Sequence, residues 1–201
     1  RKYIQRFLPH TVQDVQVVYN GLRTCILQQQ TCWESAYILF LWMATLSLVP
    51  FECRVLASPD MLSKLYSICR DHLTDPGPVR EAAAICLASW LSRPDGDLSE
   101  FGQWMQNLLG SVCSQQHQSR DDLFRTLGAV QSVVALLKLS KRSREELVRE
   151  MMPLWDTLLT LMADNTLLQR LLVKWWTRMS CAMLPPRIAP WRYQRGQRVL
   201  L

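Results

Sequence analysis

Apolar residues recur three and four positions apart through most of the chain, the spacing that lays a stripe along one side of an α-helix. Breakers cut this pattern at intervals suited to helices, and the stretches between them predict eight, over about 11–29, 33–48, 60–73, 77–92, 98–114, 120–139, 144–163 and 165–183. Pro50 closes one apolar run, and Ser58-Pro59-Asp60 has the chemistry that opens the next helix: a polar cap followed by a proline whose missing N–H costs nothing in the first turn. Asp75-Pro76-Gly77-Pro78 and Arg93-Pro94-Asp95-Gly96-Asp97 read as turns. Pro153 falls inside a predicted helix, where its ring demands a kink or a fresh start.

The helices also repeat. Trp33, Val79, Phe124 and Leu168 occupy equivalent places at steps of 46, 45 and 44 residues, each opening the second helix of a pair. A two-helix unit returning at this period is the signature of HEAT and armadillo arrays. The expected fold is all-α, a HEAT/armadillo-like α-solenoid of about four helix pairs. Residues 1–201 then form a single helical-repeat segment, with repeats at about 11–48, 60–92, 98–139 and 144–183 and residues 184–201 as a linker into a next repeat. Within the second pair, small Ala82, Ala83 and Ala84 let neighbouring helices approach, while Leu87 and Leu91 fill the space between layers.

Composition agrees with helices: apolar residues make up 49% of 201, but there are only 7 glycines, too few for the turns of a many-stranded sandwich or barrel. The longest uncharged run, Ser35 to Phe51, has 17 residues, the short limit for a membrane span. It contains Thr45, Ser47 and Pro50, and a helix buried between neighbours explains it better than a span. The chain starts at Arg1 with no secretory leader pattern and reads as part of a longer protein. Seven cysteines (Cys25, Cys32, Cys53, Cys69, Cys86, Cys113 and Cys181), odd in number and without a C-x-x-C pair, fit neither a disulfide framework nor a zinc site. They read as small buried hydrophobes in a reducing compartment.

The formal charge of +6 is local. Seven of the 23 basic residues and none of the 17 acidic ones lie from Asn165 onward, so the remainder is nearly neutral. Within that basic region, Pro185 to Arg198 interleaves arginines with aromatic rings, and Arg187, Trp191, Arg192, Tyr193, Arg195 and Arg198 are the candidate partner-binding residues. Four arginines are too narrow a face for nucleic acid, and an acidic protein surface suits them better.

Chemistry is otherwise sparse. Cys113 and His117, four apart, could share a helical face as a nucleophile and a base, but no carboxylate can be assigned to orient the imidazole. His10 and His72 lack metal-ligand spacing, and no glycine-rich loop matches a phosphate cradle. No catalytic, metal or cofactor residue is assigned, so the expected product is an interaction module and not an enzyme. Among the tryptophans, Trp42, Trp90, Trp104, Trp155 and Trp175 fall on apolar helical faces and are expected in the core.

Three stretches resemble the tubulin-specific chaperone D (tubulin-folding cofactor D) family. They are Arg6-Phe7-Leu8-Pro9-His10 followed by Asp14-Val15; Trp33-Glu34 with Tyr37, running into Leu41-Trp42 and Val49-Pro50-Phe51; and Trp191-Arg192-Tyr193-Gln194-Arg195-Gly196 preceded by Ala189. Their order and separation carry the resemblance across essentially the whole chain. Ser35-Ala36 stands where the family pattern has Thr-Arg, and Thr11 where it has an acid. The resemblance implies a cytoplasmic, cytoskeleton-associated HEAT-repeat chaperone that binds β-tubulin. It also implies assembly and disassembly of the αβ-tubulin dimer with cofactors C and E, promotion of GTP hydrolysis by tubulin, and engagement of an Arf-like small GTPase. The alternative reading is a HEAT-repeat scaffold for a different protein partner.

Overall fold

Helix starts in this chain are written in side chains. The computed structural model describes residues 2–27, 32–52, 58–114, 120–140, 144–160 and 165–184, and among these there is no strand. A short α1 (Lys2–Gln5) precedes α2 (Val12–Leu27) and α3 (Trp33–Leu46). Next come α4 (Pro59–Asp71), a 3-10 turn (His72–Thr74), α5 (Pro78–Leu91), α6 (Leu98–Ser114) and α7 (Arg120–Leu139). The last are α8 (Arg144–Met151), α9 (Leu154–Thr160) and α10 (Thr166–Met183).

At the start of α2 the Thr11 backbone N–H and hydroxyl both donate to Asp14 Oδ2, at 2.8 and 2.7 Å, so the Asp14 carboxylate reaches back to satisfy the N–H ahead of the helix. Those bonds hold the Asp14 carboxyl below its ordinary pKa. Ser58 Oγ accepts from Met61 N at 3.2 Å to start α4, and Asp97 Oδ1 accepts from Glu100 N at 3.0 Å to start α6. Asn165 Oδ1 accepts from Leu167 N and Leu168 N, at 2.9 and 3.1 Å, to start α10. The predicted helix at 144–163 is divided at Met152-Pro153 into α8 and α9, the fresh start that the proline ring imposes. The sequence pattern did not foreshadow α1.

The second helices of the pairs form one layer: α3 packs on α5, α5 on α7 and α7 on α10, while α2, α4, α6 and α8 each pack on the second helix of their own pair. The main contacts therefore run within a pair or between adjacent pairs, as in a solenoid. Deepest is α5, in which every residue from Ala82 to Leu91 is buried. Alanines at 82, 83, 84 and 88 let it be enclosed on all sides, because a larger residue at any of them would hold a neighbour away.

Polar side chains tie the layer together. Trp90 Nε1 donates to Met43 O at 3.0 Å, joining α5 to α3, and Arg178 donates to Val134 O, joining α10 to α7. Arg70 pairs with Glu100 at 3.0 Å and lies over the Trp104 ring, bridging α4 to α6. Gly128 of α7 lies against the 3-10 turn: a Cβ there would meet Leu73 O at 2.6 Å.

Trp90 and Trp175 are fully buried, and Trp42, Trp104 and Trp155 are half-buried at the edge of the core. The cysteines divide differently from expectation. Cys25, Cys69 and Cys86 are buried small apolar groups, but Cys113 and Cys181 are exposed on the outward sides of α6 and α10 and Cys32 is exposed at the cap before α3; Cys53 lies outside the described residues. No described helix is long and apolar enough to cross a membrane.

Candidate partner-binding surface

The residues singled out for partner binding, Arg187, Trp191, Arg192, Tyr193, Arg195 and Arg198, all lie outside the described residues, as does His117. Cys113 is described: its thiol is exposed and lies 3.9 Å from Thr157 O. His10 is exposed, and His72 stacks edge-on against Phe40 with ring centroids 5.3 Å apart. Burial lowers the His72 pKa below 6.5, against the opposing charges of Asp75 and Asp71. Among the described residues no group of His, Cys, Asp or Glu could hold a metal ion.

Two of the family-like stretches are brought together. Trp42 Nε1 of α3 donates to Pro9 O at 2.6 Å, so the Arg6–His10 segment is strapped across the helix that Trp33 opens. Trp33 itself is 54% exposed and meets Tyr37 edge-on at 6.5 Å. Ser35 is exposed while Ala36 is buried. An arginine in place of Ala36 would have to carry its charge out of the core or find a partner there.

Where α3, α5 and α7 end, a cleft of about 550 Å³ opens, with Leu48, Phe51, Arg93 and Leu139 on its walls. Arg93 is its organising side chain: Nη1 donates to Ser47 O and Val49 O at 2.8 and 2.9 Å, Nη2 donates to Phe51 O, and Nε pairs with Asp95 at 3.0 Å. The guanidinium fork thus closes the end of α3 with carbonyl acceptors that have no helical donor ahead of them. Sequence reasoning placed Arg93 in a turn and gave it no role. Its carbonyl acceptors lie 42 to 46 residues away, beyond any local pattern.

A third surface belongs to α10. Leu168, Leu172, Trp175 and Met179 face inward, and the outward face carries Arg170, Val173, Lys174 and Trp176. Trp176 stacks on Trp155 of α9 at 4.5 Å and remains 46% exposed. Leu172 and Trp175 are buried on the side of α10 that packs within this chain, as expected for Trp175.

Paired helices stacked through a continuous layer, and presenting faces and open clefts to solvent, define a helical-repeat scaffold of the armadillo and HEAT class. Residues 1–112 match the family described as tubulin-specific chaperone D-like, ARM repeat, and the chain belongs to that family. It is 26% identical to the tubulin-folding cofactor D of Schizosaccharomyces pombe over 96% of this chain and 17% of that protein. It is 22% identical to the tubulin-specific chaperone D of Dictyostelium discoideum over 84% of this chain and 14% of that protein. The chain therefore spans about a sixth of the length of these relatives. No solved structure matches it.

Proposed function

We propose that the chain is a segment of a tubulin-folding cofactor, cytoplasmic and associated with the cytoskeleton, that binds β-tubulin through the surfaces of its helical stack. The observation that carries this reading is the alignment of 96% of the chain with a protein named for tubulin folding, together with the family match over residues 1–112. In this reading the segment is a holder and not an enzyme: it positions β-tubulin while the αβ dimer is assembled or dismantled with cofactors C and E. Hydrolysis of GTP is then carried out by tubulin and promoted by the assembly, and an Arf-like small GTPase is a further partner. An extended stack suits this task, since adjacent repeats offer a large partner several independent footholds. Arg187, Arg192, Arg195 and Arg198, with Trp191 and Tyr193, are proposed contacts to an acidic face of the partner.

Capture of purified β-tubulin by the immobilised 201-residue chain tests the reading. Retention that weakens with added salt is expected, and it should fall further when Arg192 and Arg195 are both changed to Glu in a variant whose circular dichroism is unaltered. Retention no greater than that of an unrelated helical-repeat protein would overturn the reading. Unchanged retention by the variant would remove the arginines from it.

A further inference from the structure

We infer that Cys69 of α4 and Cys86 of α5 form a redox latch: a hydroperoxide oxidises them to a disulfide that fastens together the two helices of the second pair. The inference holds whatever partner the stack binds, and it rests on residues to which the binding reading gives no role.

Both thiols are closed to solvent, and they meet: a side-chain hydrogen bond joins them where α4 packs on α5. Cys69 continues the buried stripe of Leu65 and Tyr66 on α4, and Cys86 lies in the enclosed run from Ala82 to Leu91. The contact is internal to one pair, and α5 is flanked within the layer by α3 and α7. In sequence the two cysteines stand 17 positions apart, with the 3-10 turn and Asp75-Pro76-Gly77-Pro78 between them. A bond between the sulfurs therefore closes a loop around the turn of the pair. Two apolar side chains of similar size would fill the same space. What the two thiols add to that packing is the capacity to be oxidised together.

Burial pushes the Cys86 thiol well above its ordinary range, and the hydrogen bond with Cys69 adds to the rise. The thiolate is the nucleophile, so the closed pair resists oxidation and the oxidant acts when α4 lifts from α5. The sulfur reached first attacks one peroxide oxygen. The O–O bond breaks, a sulfenic acid forms, and the other oxygen leaves as water with the thiol proton. When α4 settles back, the sulfenic sulfur has the second cysteine as its neighbour. That sulfur attacks it, the S–O bond breaks, and the hydroxyl leaves as a second water with the remaining thiol proton. Two thiols have given up two electrons, and one peroxide has become two waters. A dithiol reductant reverses the step by exchange. Closing the loop removes conformational freedom from the unfolded chain, so the oxidised form is the more stable one.

The test treats the 201-residue chain with hydrogen peroxide, blocks the remaining thiols with N-ethylmaleimide in denaturant, and locates disulfides by tandem mass spectrometry of a digest. A link from Cys69 to Cys86 is expected as the main intramolecular product, and dithiothreitol is expected to remove it. The oxidised chain should melt roughly 5–10 °C above the reduced chain, the shift expected for a loop of this length. Cys69→Ala and Cys86→Ala should each abolish both the link and the upward shift. The shift is read between the oxidised and reduced forms of one variant, so packing lost to the substitution cancels. Cys113→Ser, at an exposed thiol, should keep both. Three results overturn the inference: maleimide on both Cys69 and Cys86 after exposed thiols have been oxidised, each of the two linked to other cysteines as often as to its neighbour, or a link that leaves the melting temperature unchanged or lower. If an alanine variant does not fold, the link map and thermal shift of the unsubstituted chain decide the matter alone.

Discussion

At Gly128 a hydrogen atom is all that fits between α7 and the 3-10 turn. An added Cβ would lie 2.6 Å from Leu73 O, 2.8 Å from its Cβ and 3.0 Å from its Cα, and two of those atoms are backbone. Helix propensity favours Ala over Gly by about 1 kcal/mol, but forcing two elements apart costs about 1–3 kcal/mol. Gly128→Ala is therefore expected to lower the urea midpoint, and Gly128→Val to lower it more. Gly110 in α6 is the matched control, since a Cβ there meets nothing within 4 Å. Gly110→Ala should raise stability by up to about 1 kcal/mol in the same measurement.

His72 gives the fold a pH dependence whose direction follows from burial. Its folded pKa lies below the usual 6.5, so the folded state prefers the neutral ring. The stability this contributes is complete above about 6.5 and is lost as pH falls through that value toward the folded pKa. Melting temperatures are expected to decline between about pH 7 and pH 5, and His72→Gln should flatten that decline. An equal slope in the variant would place the titration elsewhere.

Among elements, the joint that matters most for the stack is the end of α3 against the turn after α5. Arg93 serves three carbonyls and one carboxylate there. Its removal leaves part-buried acceptors unpaired, at about 1–3 kcal/mol for such a loss. Arg93→Ala is expected to destabilise by roughly 2–4 kcal/mol in urea melts. Arg93→Lys should recover less than half, because a single ammonium cannot reproduce the fork.

Most helix limits were legible because their signals are local: Ser58-Pro59, Asp97 and Asn165 cap the helices that they precede, and Pro153 splits one. Arg93 and Gly128 were not, since what each does is set by residues distant in sequence. Of the candidate surface, the charge count pointed to the basic C-terminal region, and the four-residue spacing of Arg170 and Lys174 was present in the sequence. What the sequence could not supply was that Arg178, one turn further on, is turned inward while the other two remain exposed. The exposure of Cys32, Cys113 and Cys181 was hidden for the same reason, because a cysteine's residue type does not reveal its surroundings.

For the whole molecule, the layer of second helices runs from α3 to α10 with α5 and α7 inside it. A stack held by neighbour contacts does not open uniformly. Helix α5, enclosed from Ala82 to Leu91 and fastened at Trp90 to α3, can expose its backbone only when the pairs on both sides let go. In deuterium exchange its amides should therefore be the slowest of the chain, exchanging at the rate set by global unfolding, while those of α2 and the outer turns of α10 exchange earlier. Protection in α5 no greater than in α2 would contradict this order. The same gradient makes the molecule its own reporter: a ligand seated on one outer helix should slow exchange in that helix and leave α5 unchanged, whereas a ligand that merely tightens the whole fold should slow both together.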